Sequence, residues 1–163
     1  MKKGFTLIEL ILTISLIGIL LVCSGLLLTQ GLDSYSKVFF RSSSLEESRY
    51  AMERMVRELR KIGDEGNALQ NIDSDQITFL DENDTDATFS HSGQSLYRNG
   101  NLLLDNVSAL TFTGFRENGS TTTAAVQVRR VQIRLSTLPP GQNSPIILQT
   151  GVFLRNFIYE NFQ

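Results

Sequence analysis

The chain has 163 residues, with 15 Lys and Arg against 17 Asp and Glu, a formal net charge of −2, one Cys, one His and no Trp. The length sets an expectation of one domain with or without an appendage, and the charge balance excludes the strongly basic surface of a nucleic-acid-binding protein. A mean hydropathy near zero suits a soluble globule, yet every charged residue falls outside the stretch from Leu10 to Leu32, which excludes one.

The first element is apolar. Met1-Lys2-Lys3-Gly4 precedes Phe5-Thr6-Leu7-Ile8-Glu9, and an uncharged run follows to Leu32. At a rise of 1.5 Å per residue the run from Leu10 to Leu32 covers roughly 34 Å as a helix, enough for a hydrocarbon layer of about 30 Å. Sixteen Phe, Leu, Ile and Val residues between Phe5 and Leu28 outweigh the single carboxylate of Glu9, because each contributes about −0.3 to −0.6 kcal/mol to insertion. Lys2 and Lys3 ahead of the span predict a cytoplasmic N-terminus with the bulk of the chain outside. A cleaved secretory signal needs a shorter apolar region of about 7–15 residues. Lipidation at Cys23 is disfavoured by the bulky Val22 before it, and Cys23, which has no partner for an intramolecular disulfide, is expected to be a small buried hydrophobe.

Gly4 offers a peptidase a backbone with no Cβ in the way, and Glu9 is an ionisable residue in a membrane segment, which marks a functional position. Together Lys2-Lys3-Gly4-Phe5-Thr6-Leu7-Ile8-Glu9 resembles the processing motif of type IV prepilins and of the pseudopilins of type II secretion. The resemblance covers about the first 30 residues. It implies that a prepilin peptidase cuts between Gly4 and Phe5, that Phe5 is then N-methylated, and that Glu9 meets the N-terminal amine of a neighbouring subunit during assembly. Such a pair sets register more than it adds stability, since desolvation offsets much of the Coulomb gain.

The helical period continues without Pro or Gly from Leu32 to Ile62. Val38, Leu45, Met52 and Leu59 repeat every seven residues, with Met55, Val56 and Ile62 beside them, which predicts an apolar stripe packed on a domain. Arg49/Glu53, Glu53/Arg57 and Arg54/Glu58 stand four apart on the other face, each pair contributing about 0.2–0.5 kcal/mol. Arg41 and Ser48 interrupt a second seam and disfavour a coiled coil, and Gly63 marks the stop. A single helix over 5–62 would run roughly 87 Å. This shape is again similar to pilins, although Leu26 stands where many major pilins have Pro.

From Asp64 to Ser92 the sequence reads as acidic loop with one strand, Gln76–Leu80. Ser95–Arg98 and Asn101–Leu104 flank Asn99-Gly100, a tight hairpin signal. Leu110 and Phe112 alternate with Thr, and Asn118-Gly119 marks a turn. From Val126 to Leu135 the apolar phase switches from even to odd positions, predicting a bulge at Arg129-Arg130. Pro139-Pro140-Gly141 precedes a last strand with Ile146, Leu148, Val152 and Leu154 in phase. Arg130 and Arg134 share the opposite strand face, read as solvated or as a subunit contact. The order of these segments is similar to minor pilins and the pseudopilin-J group, and the lack of a second Cys separates the chain from major pilins with a disulfide loop.

No catalytic or metal-binding set emerges. His91, the one His, lies in a polar stretch and reads as a surface residue. Asp81–Asp86 offers oxygen ligands but lacks the Gly and distal Glu of a helix–loop–helix calcium site, so it reads as a solvated loop.

The expected fold is therefore α+β: residues 1–4 a leader, 5–32 a transmembrane and filament-core helix, 33–63 an amphipathic helix, and 64–163 an antiparallel β-rich head. The expected function is that of a minor pilin or pseudopilin, a structural subunit of the inner membrane with no enzymatic activity and no cofactor. The resemblance implies as partners prepilin peptidase, other minor pilins or pseudopilins, an inner-membrane assembly platform and the lipid bilayer, with no nucleic acid. A single-span anchored binding or sensor domain that is never processed is the alternative.

Overall fold

A computed structural model of the chain describes residues 6–62, 68–81 and 83–154. It is α+β: among the described residues one long N-terminal helix, α1 (Leu7–Arg60), is followed by nine strands in two antiparallel sheets. The chain divides into two compact units, one up to Phe39 and one from Phe40 on.

The first unit is the apolar part of α1. Its Leu, Ile and Val side chains are exposed from Leu7 to Leu32, and the helix is long and apolar enough to cross a membrane. Val38, expected in the buried stripe, is exposed. Cys23 is exposed too, contrary to the buried state expected of it: among the described residues nothing packs on this apolar part of the helix.

In the second unit α1 turns one face to the core. Ser48, Ala51, Met52, Met55 and Leu59 are buried, and Ile62 just beyond the helix joins them. These positions recur at three and four residues, as a helix laid on a sheet requires. Ser48 belongs to this stripe and does not interrupt it. Its hydroxyl lies 2.6 Å from the Ser44 carbonyl oxygen and 3.0 Å from Thr137 Oγ1, so the buried polar atom is satisfied.

The first sheet is a meander of β1 (Leu69–Ile72), β2 (Gln76–Leu80), β3 (Asp86–Ser92), β4 (Ser95–Arg98) and β5 (Asn101–Leu104). Two of its strands, β1 and β3, fall where the sequence was read as loop. Each brings only two apolar residues inward, Leu69 and Ile72 in one and Ala87 and Phe89 in the other, too few to show as a strand pattern. Pairing supplies the rest: Ile77 stands opposite Phe89 and Phe79 opposite Ala87. The β4–β5 turn is as expected, with Asn99 and Gly100 both at positive φ, 50° and 77°, and Asn99 Oδ1 accepts the Thr88 N–H at 2.7 Å.

The second sheet has the order β7 (Thr121–Thr122), β6 (Val107–Phe115), β8 (Arg130–Thr137), β9 (Ile146–Phe153). An irregularity between Val107 and Ala109 shifts the inward phase of β6 to Leu110, Phe112 and Gly114. The bulge expected at Arg129-Arg130 is present: Phe115 is paired with Arg130, yet its carbonyl also accepts the Arg129 N–H at 2.8 Å, so two residues oppose one and the inward phase switches between Val128 and Val131. A single 3-10 turn over Ala125–Gln127 precedes it. It leaves Val126 exposed and Val128 buried, and the strand begins beyond it.

Gly114 lies where β6 passes β7 and the 3-10 turn. A Cβ there would sit 2.6 Å from the Thr122 carbonyl oxygen and 2.8 Å from Val128 Cγ2. Since the nearest neighbour is backbone, Gly114→Ala is expected to cost about 1–3 kcal/mol of stability through overpacking. Urea unfolding of the detergent-solubilised full chain checks this, and an unchanged midpoint refutes the crowding argument.

One ionic cluster ties α1 to the first sheet. Arg98 Nε donates to both Glu58 oxygens, at 3.0 and 2.9 Å, and Arg54 Nε donates to Oε1 of the same carboxylate at 3.1 Å. Arg54 and Glu58 are thus paired at i,i+4 as the sequence suggested. Arg98, from the end of β4, adds a long-range contact among half-buried side chains.

Candidate functional site

The site anticipated from the sequence is the N-terminal segment. Gly4 and Phe5 lie outside the described residues; Thr6 and Glu9 are described. Thr6 precedes the first helical residue, and its carbonyl accepts the Leu10 N–H at 3.2 Å. Its hydroxyl accepts the Glu9 N–H at 3.4 Å. Thr6 is therefore the N-cap and Glu9 the third helical residue, the spacing of a capping box. The signal is the Thr-x-x-Glu pattern of Thr6-Leu7-Ile8-Glu9, which lies inside the apolar run.

This cap has an electrostatic consequence for Glu9. The free N–H groups of a first helical turn carry partial positive charge, which favours a carboxylate there by about 0.3–1 kcal/mol at exposed sites. Glu9 is exposed, and among the described residues its carboxylate takes no hydrogen bond or ion pair.

Other polar side chains of the apolar stretch behave differently. The hydroxyls of Thr13, Ser15 and Thr29 donate to the carbonyls of Leu10, Ile11 and Leu26, at 2.8, 2.9 and 3.0 Å. Hydroxyls bonded back onto their own helix need no outside partner in a bilayer. Glu9 is the one charged residue between Lys3 and Asp33. The capped first turn thus places one carboxylate ahead of a stretch of the helix that carries no other charge as far as Leu32.

The remaining sequence candidates are placed elsewhere. His91 lies half-buried on β3 with Nε2 3.4 Å from the Val107 carbonyl oxygen. In the acidic loop, Asp81 Oδ1 accepts the N–H groups of Asn83 and Thr85 at 2.8 and 3.1 Å, so that carboxylate folds onto its own turn. Among the described residues no group of three or more His, Cys, Asp or Glu is arranged to hold a metal ion. Arg130 stacks over Phe115, its guanidinium carbon 4.4 Å from the ring centroid, and lies 6.0 Å from that of Phe153.

Comparison with known proteins agrees with the geometry at the N-terminus. Residues 1–22 match the family model described as the prokaryotic N-terminal methylation motif, which spans the cap, Glu9 and the first part of the apolar helix. No curated protein matches the chain. The N-terminus is thus that of a type IV prepilin-like precursor with an apolar helix suited to anchoring in a membrane.

Proposed function

We propose that this protein is a minor pilin or pseudopilin, a structural subunit stored in the inner membrane and then assembled with related subunits into a type IV pilus or a type II secretion pseudopilus. One observation carries the reading: the methylation motif over residues 1–22 coincides with a capped helix whose first turn holds one carboxylate ahead of an uncharged span.

In this reading residues 1–4 are a leader removed by prepilin peptidase, and Phe5 becomes the N-methylated first residue. Residues 5–32 form the membrane and filament-core helix, 33–63 the amphipathic helix, and 64–163 the β-rich head. Before cleavage Lys2 and Lys3 hold the N-terminus at anionic headgroups, each contributing about 1 kcal/mol. Cleavage removes that anchor and creates an ammonium four residues from Glu9. This new cation and the Glu9 carboxylate of a neighbouring subunit are the complementary groups, meeting where the dielectric is low, as the subunit leaves the bilayer for the filament. The head carries no catalytic role and contributes contacts that select neighbours.

Intact-mass and N-terminal analysis of the protein from its native cells tests the reading. The expected species begins at N-methylated Phe5. A chain that still begins at Met1 or Lys2 overturns it in favour of an unprocessed anchored domain.

A further inference from the structure

We propose that Tyr35 and Phe39 form a lipid-binding face on α1, seated in the headgroup layer at the end of the apolar span opposite Glu9. Both side chains are exposed, Tyr35 by 71% and Phe39 by 58%. Their rings stack, with centroids 6.5 Å apart and planes 20° from parallel. The first buried residue of α1 is Ser48, further along the helix, so this aromatic pair stands outside the core.

The pair continues the apolar span. Leu28, Leu32, Tyr35 and Phe39 follow one another at four, three and four residues, which places them on one helix stripe, and Leu28 and Leu32 are exposed as well. The first charges after Glu9 are Asp33 and Lys37, two residues to either side of Tyr35. At about 100° per residue they stand on the opposite side of the helix from it. The charge that ends the uncharged run therefore does not end its apolar face, which extends about two turns further.

Length and side-chain direction name a bilayer surface as the occupant. From Leu7, the first residue of α1, to Tyr35 the rise is roughly 42 Å, the thickness of about 40–45 Å that a bilayer has with its headgroup layers. With the Thr6 cap and Glu9 at one surface, Tyr35 falls at the other. Side chains on a helix lean toward its N-terminus, and in the membrane-stored state that end lies across the bilayer. Both rings are thus drawn back toward the acyl chains. Tyr brings an apolar ring to the acyl boundary and a hydroxyl to the headgroups, the combination that concentrates it at membrane surfaces, and Phe39 widens the apolar part. A soluble partner would have to match a stripe whose first half, Leu28 and Leu32, is already in hydrocarbon. The inference rests on the membrane-stored state of the proposed function and not on cleavage or assembly.

The chain has no Trp, so Tyr35→Trp, Phe39→Trp and Leu21→Trp each carry a single indole, the last at the midpoint of the run from Leu10 to Leu32. Each full-length protein is reconstituted at high dilution into vesicles of phosphatidylethanolamine and phosphatidylglycerol, with part of the lipid brominated either next to the headgroup or near the chain end. Fluorescence of Tyr35→Trp and Phe39→Trp should be quenched about twofold more by bromine next to the headgroup, as an interfacial aromatic is. Leu21→Trp should show the reverse order. If Leu21→Trp behaves so while Tyr35→Trp and Phe39→Trp are quenched by neither lipid, the proposal alone is overturned; access of aqueous iodide to them then means water covers the face, and shielding from iodide means a second copy does. Stronger quenching of both by bromine near the chain end also overturns it, placing the face inside the hydrocarbon. Quenching of none of the three overturns the membrane-stored state together with the proposal.

Discussion

Protein carrying Glu9→Leu is expected to enter the membrane and to be cut after Gly4 as the unaltered chain is, yet to be at least a hundredfold depleted from filaments. Insertion should not suffer, because a carboxylate opposes it by up to about 2.5–3.5 kcal/mol and less near a helix end. The cap should survive in part, since Thr6 Oγ1 accepts from the Glu9 backbone N–H, which Leu also supplies. What disappears, under the proposed function, is the carboxylate that meets the amine created on a neighbour by cleavage. Leaving a cation buried without its partner costs about 3–5 kcal/mol, and each 1.4 kcal/mol is a factor of about ten in an equilibrium. Quantifying the cleaved form in membrane and sheared-filament fractions checks this, with N-terminal mass establishing cleavage. Normal incorporation of the Glu9→Leu protein would sink the assembly role, whereas failure of cleavage would move Glu9 into peptidase recognition.

The second large effect concerns the head. Phe79→Ala is expected to destabilise it by about 3–5 kcal/mol, the range for removing a large buried aromatic side chain. Phe79 is fully buried on β2, and its ring packs on Phe89 with centroids 5.9 Å apart and planes 26° from parallel. That contact joins two strands within the core cluster that also holds Met55 and Leu59, fully buried on α1. Since domains are stable by only about 5–15 kcal/mol, the loss is about a fifth or more of what holds one. Phe79→Leu keeps much of the volume and should cost less than about 1.5 kcal/mol. Denaturant titration of both proteins in detergent, followed by near-ultraviolet dichroism of the head aromatics, separates them. Equal losses for the two would mean that shape at this site matters more than volume.

The sequence carried the fold unevenly. The membrane helix, the buried face at Met52, Met55 and Leu59 and the Asn99-Gly100 hairpin were legible because each depends on local rules: period, length and turn chemistry. Strands β1 and β3 were not, because their order comes from partners; Ala87 and Thr88 become strand residues by lying beside Phe79 and Thr78. The Arg129-Arg130 bulge was legible as a phase switch, whereas the 3-10 turn over Ala125–Gln127 ahead of it leaves no period of its own in three residues. At the N-terminus the motif was readable by residue type. The cap of Thr6 was overlooked because the same residues were already accounted for as a membrane span, and a helix start imposes its own pattern within it.

The hydroxyl pair at Ser48 and Thr137 joins positions 89 residues apart in an otherwise apolar core. Ser48 keeps its bond to the Ser44 carbonyl when Thr137 is changed, but changing Ser48 alone strands the Thr137 hydroxyl, at about 1–3 kcal/mol, while changing both to apolar residues of similar shape is nearly neutral. The penalised setting is therefore an apolar helix position against a polar strand position. Related chains that lose the helix hydroxyl should lose the strand hydroxyl with it. Such joint switching, found between a helix position and a strand position so distant in sequence, would mark the same helix-on-sheet register in chains whose heads share no other recognisable feature.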